Sequence, residues 1–418
     1  MTNDNQPTTH YAFPLLMWGV SRGLLVLVMA GIAPLLSVPE GAKAAEWGWG
    51  VFNAWDSQFY EAIAVSGYQF QNDGQGYNVA FFPLLPFLSW GLMQVGLPFN
   101  AAATLVNNFA LLGALLLLYD WVKQRQGETV ARWSTAVLAW CPFSLFGTVI
   151  YTEGVFLLVS TAALRAFDRK QHLWAAFWGA LATATRVTGV ALIPTFLWAA
   201  WRQQRGLRAY LAGVFASAGI IGYCLYCYVR FGDFLAFYHS MQAWKRETVV
   251  HWEGWRIMFS QILLGPANTG AEGFVDPWHP IAMIVAIAIA FSLWKFRHKV
   301  GKTAIYYGYC VLFLLVWLLI GDPLLNTLMI LGGLYLLWHT RKELGIVALS
   351  YGVFSYGIIL NSGQTTSLER YSYAIVSLSW AFGLVLSRYP RWGRAVMLFF
   401  GLLLILFGLR FAQHQWVA

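Results

Sequence analysis

Charge is scarce in this chain. Asp, Glu, Lys and Arg make up 11% of 418 residues, against 59% hydrophobic residues, and that balance excludes a soluble globular protein. Cysteine is scarce too. Cys141, Cys224, Cys227 and Cys310 all lie inside apolar runs. Cys224 and Cys227 have CxxC spacing but no second ligand pair follows, so neither a disulfide framework nor a metal knuckle is indicated, and buried thiols are the expectation. No Walker or Rossmann glycine fingerprint is present, and no DxD-type metal clamp flanks Asp56. Sustained repeats, low-complexity tracts and a separate soluble domain are also missing. The net charge of +9 comes from short basic clusters between apolar segments. That is the pattern of orientation charges with a secondary contact to anionic membrane lipids, and it excludes nucleic acid as the implied partner.

What is there is apolar sequence from end to end, which reads as an all-α polytopic membrane protein of about 13 transmembrane helices forming one integral-membrane domain over residues 1–418. Aromatics reach 17% with 22 Trp, as many interfacial belts require. Basic clusters at 123–132, 165–172, 202–208, 295–302, 341–342 and 388–394 are assigned to the cytoplasm. Loops poorer in Lys and Arg face outward, the longest at about 37–78 and 230–278. Between the acidic first loop and Lys123 lie two apolar blocks where an odd number of crossings is needed. Either the AFFPLLP block is re-entrant or the 123–132 loop breaks the rule. Arg22, Gly23–Leu36 and Ala42-Lys43-Ala44 imitate a cleavable leader, but apolar residues from Tyr11 to Val20 precede Arg22, so an uncleaved first span is expected. Apolar and charged residues alternate at helical spacing in 230–278, which carries His239 and His251. That fits amphipathic helices on the outer surface, a structural cap over the bundle, or both.

Four outward-facing polar groups carry the chemistry. The run AWDSQFYEAIAVSGYQFQNDGQGYNVAFFPLLP, residues 54–86, opens with Trp55 and Asp56 and also holds Glu61 and Asp73. Carboxylates set against a span are costly to keep charged, yet Asp56 can equally serve as a helix N-cap. PFSLFGTVIYTEGVFLL, residues 142–158, places Tyr151, Thr152 and Glu153 at a turn, where Glu153 is either solvated or a hydrogen-bonding group. ATATRVTGVALIP, residues 182–194, puts Arg186 between two short apolar segments, where an arginine needs an anion, a carbonyl or water. SLERYSY, residues 367–373, offers Glu369 and Arg370, either as a structural pair or with Arg370 as a phosphate fork. One acid and two arginines on one face suit transfer from a phosphate leaving group. The acid takes a proton from an acceptor hydroxyl, and the arginines stabilise charge on the departing phosphate.

WDSQFYEAIAVSGY with AFFPLLP, then PFSLFGTVIYTEGVF, TRVTGVALIP and LERYSYAIVSLSW resemble, in order, the PIG-V type mannosyltransferases, over about residues 12–390. The resemblance implies the GT-C glycosyltransferase fold with juxtamembrane helices in the first external loop. It implies transfer of mannose from dolichyl- or polyprenyl-phosphate mannose to a lipid or glycan acceptor, with inversion at C1, on the periplasmic or luminal face. Asp56 becomes the general base, and Arg186 and Arg370 the donor-phosphate ligands. Glu153, Trp55, Tyr151 and Glu369 become substrate-binding candidates. No cofactor or metal is implied. Ser57 stands where many relatives have Gly, and Ser-Tyr follows the ERY segment where a proline is common. The bacterial inner membrane is the favoured location, with the endoplasmic reticulum the alternative. A lipid-phosphate transporter or flippase is the rival class, disfavoured by the lack of repeat symmetry. A GT-C enzyme with another sugar donor is the second.

Overall fold

A computed structural model describes residues 11–244, 252–269, 274–361 and 365–417. Among these residues every regular element is a helix. Six helices are long and apolar enough to cross a membrane: Ala12–Leu35, Phe99–Gln126, Leu207–Phe231, Trp278–Lys295, Lys302–Ile320 and Pro390–Ala412. Three shorter apolar helices, Leu84–Met93, Ile346–Leu360 and Val376–Arg388, fall below the length a perpendicular crossing needs. The all-helical membrane architecture is as expected. The expected number of about 13 crossings is not reached by these helices.

The described residues form two compact units, one from Met1–Arg246, Leu334–Ile359 and Arg370–Ala418, the other from Glu247–Gly333 and Leu360–Glu369. The first unit begins with α1 (Ala12–Val26), α2 (Ser57–Ser66), α3 (Leu84–Met93), α4 (Phe99–Gln126), α5 (Glu128–Trp140) and α6 (Glu153–Asp168). It continues with α7 (His172–Thr183), α8 (Leu192–Arg202), α9 (Leu207–Phe215), α10 (Ala218–Phe231) and α11 (Ala236–Gln242). Helix α1 runs on through a π turn and a 3₁₀ turn to Leu35. Helix α2 is the short helix expected inside the first external loop. The second unit holds α12 (Trp252–Leu264), α13 (Trp278–Lys295), α14 (Lys302–Ile320) and α15 (Asp322–Thr327). His251 lies outside the described residues.

The centre of the first unit is α4 packed on α5 and α6. Asn107 of α4 sets the depth of that contact. Its Nδ2 donates to the carbonyls of Phe146 and Val149, both at 2.8 Å, while its Oδ1 accepts from Gly154 N at 2.8 Å. A side chain at Gly154 would lie 2.3 Å from the Asn107 carbonyl, so only glycine permits this approach. Arg22 of α1, read above as part of a leader-like pattern, is buried instead. Its guanidinium donates to Ser144 O, Thr148 Oγ1, Ala139 O and Ser144 Oγ at 2.6–2.8 Å. It therefore ties down the irregular 141–151 stretch, whose backbone would otherwise be left unsatisfied. Cys141, Cys224 and Cys227 are free and buried, and Cys310 is free and half-buried.

Candidate active site

Asp56 sits at the position preceding α2, and its side chain does not cap that helix. The capping reading gives way to an ion contact, with Asp56 Oδ2 lying 3.4 Å from Arg370 Nη1. Three bonds hold the segment in place. The Asp56 N–H donates to Tyr151 Oη at 3.3 Å, Ser57 Oγ donates to Ile150 O at 3.0 Å, and Ile150 N donates to Phe52 O at 3.2 Å. The first loop is thereby stitched to the turn before α6. The Asp56 side chain remains 36% exposed, which leaves it open to an incoming hydroxyl.

Glu153 is the first residue of α6, where the helix dipole favours a carboxylate. It is fully buried. Its Oε1 makes ion contacts at 2.5 Å with Arg186 Nη1 and 3.5 Å with Arg370 Nε, yet neither carboxylate oxygen has a hydrogen-bond partner of good geometry among the described residues. Glu153 is therefore neither a solvated turn residue nor a spectator: it is the shared counter-ion of both arginines. Arg186 reaches it from an extended backbone position between α7 and the 187–191 turn.

Aromatic rings complete the setting. The Arg370 guanidinium lies over Phe146, Tyr151 and Tyr371 at 5.0–5.2 Å, and Arg186 lies over Tyr371 at 5.2 Å. Burial opposes the charge on both arginines. On Arg370 it is outweighed by Tyr371, Glu153 and Asp56, and on Arg186 by Glu153, so both guanidinium pKa values lie above the ordinary arginine value. Tyr151 is pushed up, first by burial and then by Asp56, and so stays a neutral phenol.

The structure thus brings Asp56, Tyr151, Glu153, Arg186 and Arg370 together, with Trp55 adjoining Asp56. Glu369 is buried beside Arg370 in sequence on the helix Leu368–Tyr373, and Arg370 turns to Asp56 and Glu153. Tyr371 and Tyr60 were missed. Tyr60 is buried against Phe81, and its phenol is pushed well above the ordinary tyrosine value, first by burial, with Arg186 opposing and Asp56 and Glu153 adding. It stands one turn after Asp56 on α2, which was the signal available. Asp73 lies exposed, its carboxylate held below the ordinary range by the Gln75 N–H and the Tyr77 hydroxyl, and it belongs to a local turn. Among the described residues no group of three or more His, Cys, Asp and Glu could hold a metal ion.

Residues 36–202 match the family described as Mannosyltransferase (PIG-V). The match takes in the first three stretches of the resemblance, with Trp55, Asp56, Tyr151, Glu153 and Arg186, and stops short of Glu369 and Arg370. No curated protein matches the chain. Among solved structures, the chain is similar to the Archaeoglobus fulgidus oligosaccharyltransferase in the apo form. The identity is 13%, the TM-score 0.48, and the cover 96% of this chain and 56% of that one. A second similarity is to ArnT from Cupriavidus metallidurans bound to undecaprenyl phosphate, with 12% identity, a TM-score of 0.39, and cover of 88% of this chain and 78% of that one. The chain spans about half the length of the archaeal oligosaccharyltransferase it matches.

Proposed function

We propose that the whole chain is one membrane-embedded catalytic domain, an inverting GT-C glycosyltransferase that moves mannose from polyprenyl-phosphate mannose to a hydroxyl of a lipid or glycan acceptor. The observation that carries this reading is the half-exposed Asp56 beside Arg370, which with Arg186 converges on the buried Glu153. The family match over residues 36–202 points the same way.

The chemistry follows from the charges. Asp56 accepts the proton of the acceptor hydroxyl as its oxygen bonds to the sugar C1. The bond from C1 to the phosphate oxygen breaks, and its electron pair leaves with the lipid phosphate. That phosphate gains one negative charge, which Arg370 and Arg186 are placed to stabilise. Attack opposite the leaving group inverts C1. Two carboxylates face two guanidiniums in this cluster, so a phosphate bound by the arginines competes with Glu153 for them. The active face is read as periplasmic or luminal, because the basic clusters and the loops that carry the candidate residues alternate along the sequence.

The test is transfer of radiolabel to lipid or glycan by membranes containing the protein, supplied either with polyprenyl-phosphate mannose or with a nucleotide-linked mannose. Product from the lipid-linked donor alone is expected. Product from the nucleotide-linked donor alone, in membranes depleted of polyprenyl phosphate, would overturn the reading.

A further inference from the structure

The tail that follows helix Pro390–Ala412 reaches the candidate site. Lys43 N donates to Gln413 O at 3.0 Å, and Gln413 Nε2 donates to Ser37 O at 3.2 Å. Gln413 and Val417 are buried, and Arg410 holds the Trp416 carbonyl. The tail is therefore fastened to the first loop at Gln413, three residues before Trp416. That indole meets Trp55 edge to face, with ring centroids 5.4 Å apart and planes at 83°.

Trp55 is unusual in its own right. It adopts φ of 58°, a left-handed conformation that costs a bulky residue roughly 1–3 kcal/mol. Trp47, in the same loop and 66% exposed, sits on ordinary extended backbone at φ −80°. Anchoring an indole at a membrane interface thus requires no strain in this loop. The strain at Trp55 fixes a ring immediately before Asp56, and the tail supplies a second ring against it. Trp55 and Trp416 remain 37% and 47% exposed. In an edge-to-face pair one ring uses only its edge, so three of the four aromatic faces are not spent on the contact.

We propose that Trp55 and Trp416 form a stacking platform for the pyranose ring of the donor sugar beside Asp56, an inference that rests on the glycosyltransferase reading. A pyranose carries an apolar face of C–H groups with slight positive charge, and the indole face is the negative side of its quadrupole. Tryptophan offers that face at little entropic cost, and its N–H remains available to a sugar hydroxyl.

The experiment uses the purified full-length protein in detergent, titrated with polyprenyl-phosphate mannose or with bare polyprenyl phosphate while the thermal midpoint is followed. The wild type is expected to bind the sugar-bearing lipid more tightly than the bare one. Trp416→Ala should keep the response to bare polyprenyl phosphate and lose the extra affinity for the sugar, about tenfold. Trp416→Phe should retain most of it. If Trp416→Ala keeps the sugar increment, or weakens both lipids equally, the platform is overturned. If neither lipid shifts the wild type, the lipid-donor reading itself fails and takes the platform with it.

Discussion

The two ends of α6 carry the same residue types to opposite effect. At its C-terminal end Asp120 Oδ1 accepts from Gln124 at 2.8 Å, while Oδ2 takes both Arg165 and Arg169. Asp168 there receives both Nε and Nη2 of Arg125, together with the Trp121 indole N–H. Every oxygen of both carboxylates is used, and the arginines stay partly exposed. At its N-terminal end, 12 residues and about 18 Å away along the axis, Glu153 is fully buried with Oε2 unpartnered. Two arginines crowd its other oxygen. A structural ion cluster saturates its acceptors at the edge of the bundle. The cluster around Glu153 holds charge out of water without saturating it, a costly arrangement that folding alone does not call for.

The comparison can be broken most sharply at Glu153. Glu153→Gln leaves buried Arg186 without its counter-ion and Arg370 with Asp56 alone, and should destabilise the protein by about 3–5 kcal/mol, seen as a large fall in the thermal midpoint. Added polyprenyl phosphate should restore more of that midpoint in the variant than it adds to the wild type, since a phosphate can replace the lost carboxylate. A variant as stable as the wild type would mean that Glu153 is not the counter-ion.

Arg370→Ala is expected next, with turnover reduced about 10²–10³-fold. Arg370→Lys should keep part of that activity, because a lysine retains charge but not the fork. Equal losses in the two variants, measured as kcat/KM for the lipid-linked donor, would remove the argument for a bidentate contact. The smallest effect is expected at the other end of α6. Asp120→Asn, which weakens the hold on Arg165 and Arg169, should lower the thermal midpoint and leave transfer unchanged. A fall in activity there as large as at Arg370 would erase the distinction between the two ends.

The chain's membrane character and the members of its candidate site were legible because each rests on local pattern. Apolar length announces a helix, and an ionisable residue at the mouth of an apolar run announces a use. Asp56, Arg186, Arg370 and Glu153 were all visible in this way. Their arrangement was not, because nothing local says that Glu153 takes both arginines or that Arg370 crosses to Asp56, 314 positions away. The role of Arg22 was illegible for a related reason. Beside an apolar run near the start of a chain, a lone arginine looks like a leader's positive flank, whereas its four acceptors lie 117–126 residues further on. Trp416 carried no signal at all, since one more tryptophan among 22 reads as belt. The count of crossings was not legible, for reasons of length. Helices such as α7 and α8, with 12 and 11 residues, end at the 184–191 break that exposes Arg186 to Glu153. The feature that shortens them also builds the site.

The most direct test of the central claim is Asp56→Asn, compared with the wild type at matched protein level and matched thermal midpoint, for transfer from polyprenyl-phosphate mannose. The amide keeps the shape and cannot take the proton, so turnover should fall about 10²–10⁴-fold while bare polyprenyl phosphate still binds. Turnover within a few-fold of the wild type would contradict Asp56 as the base.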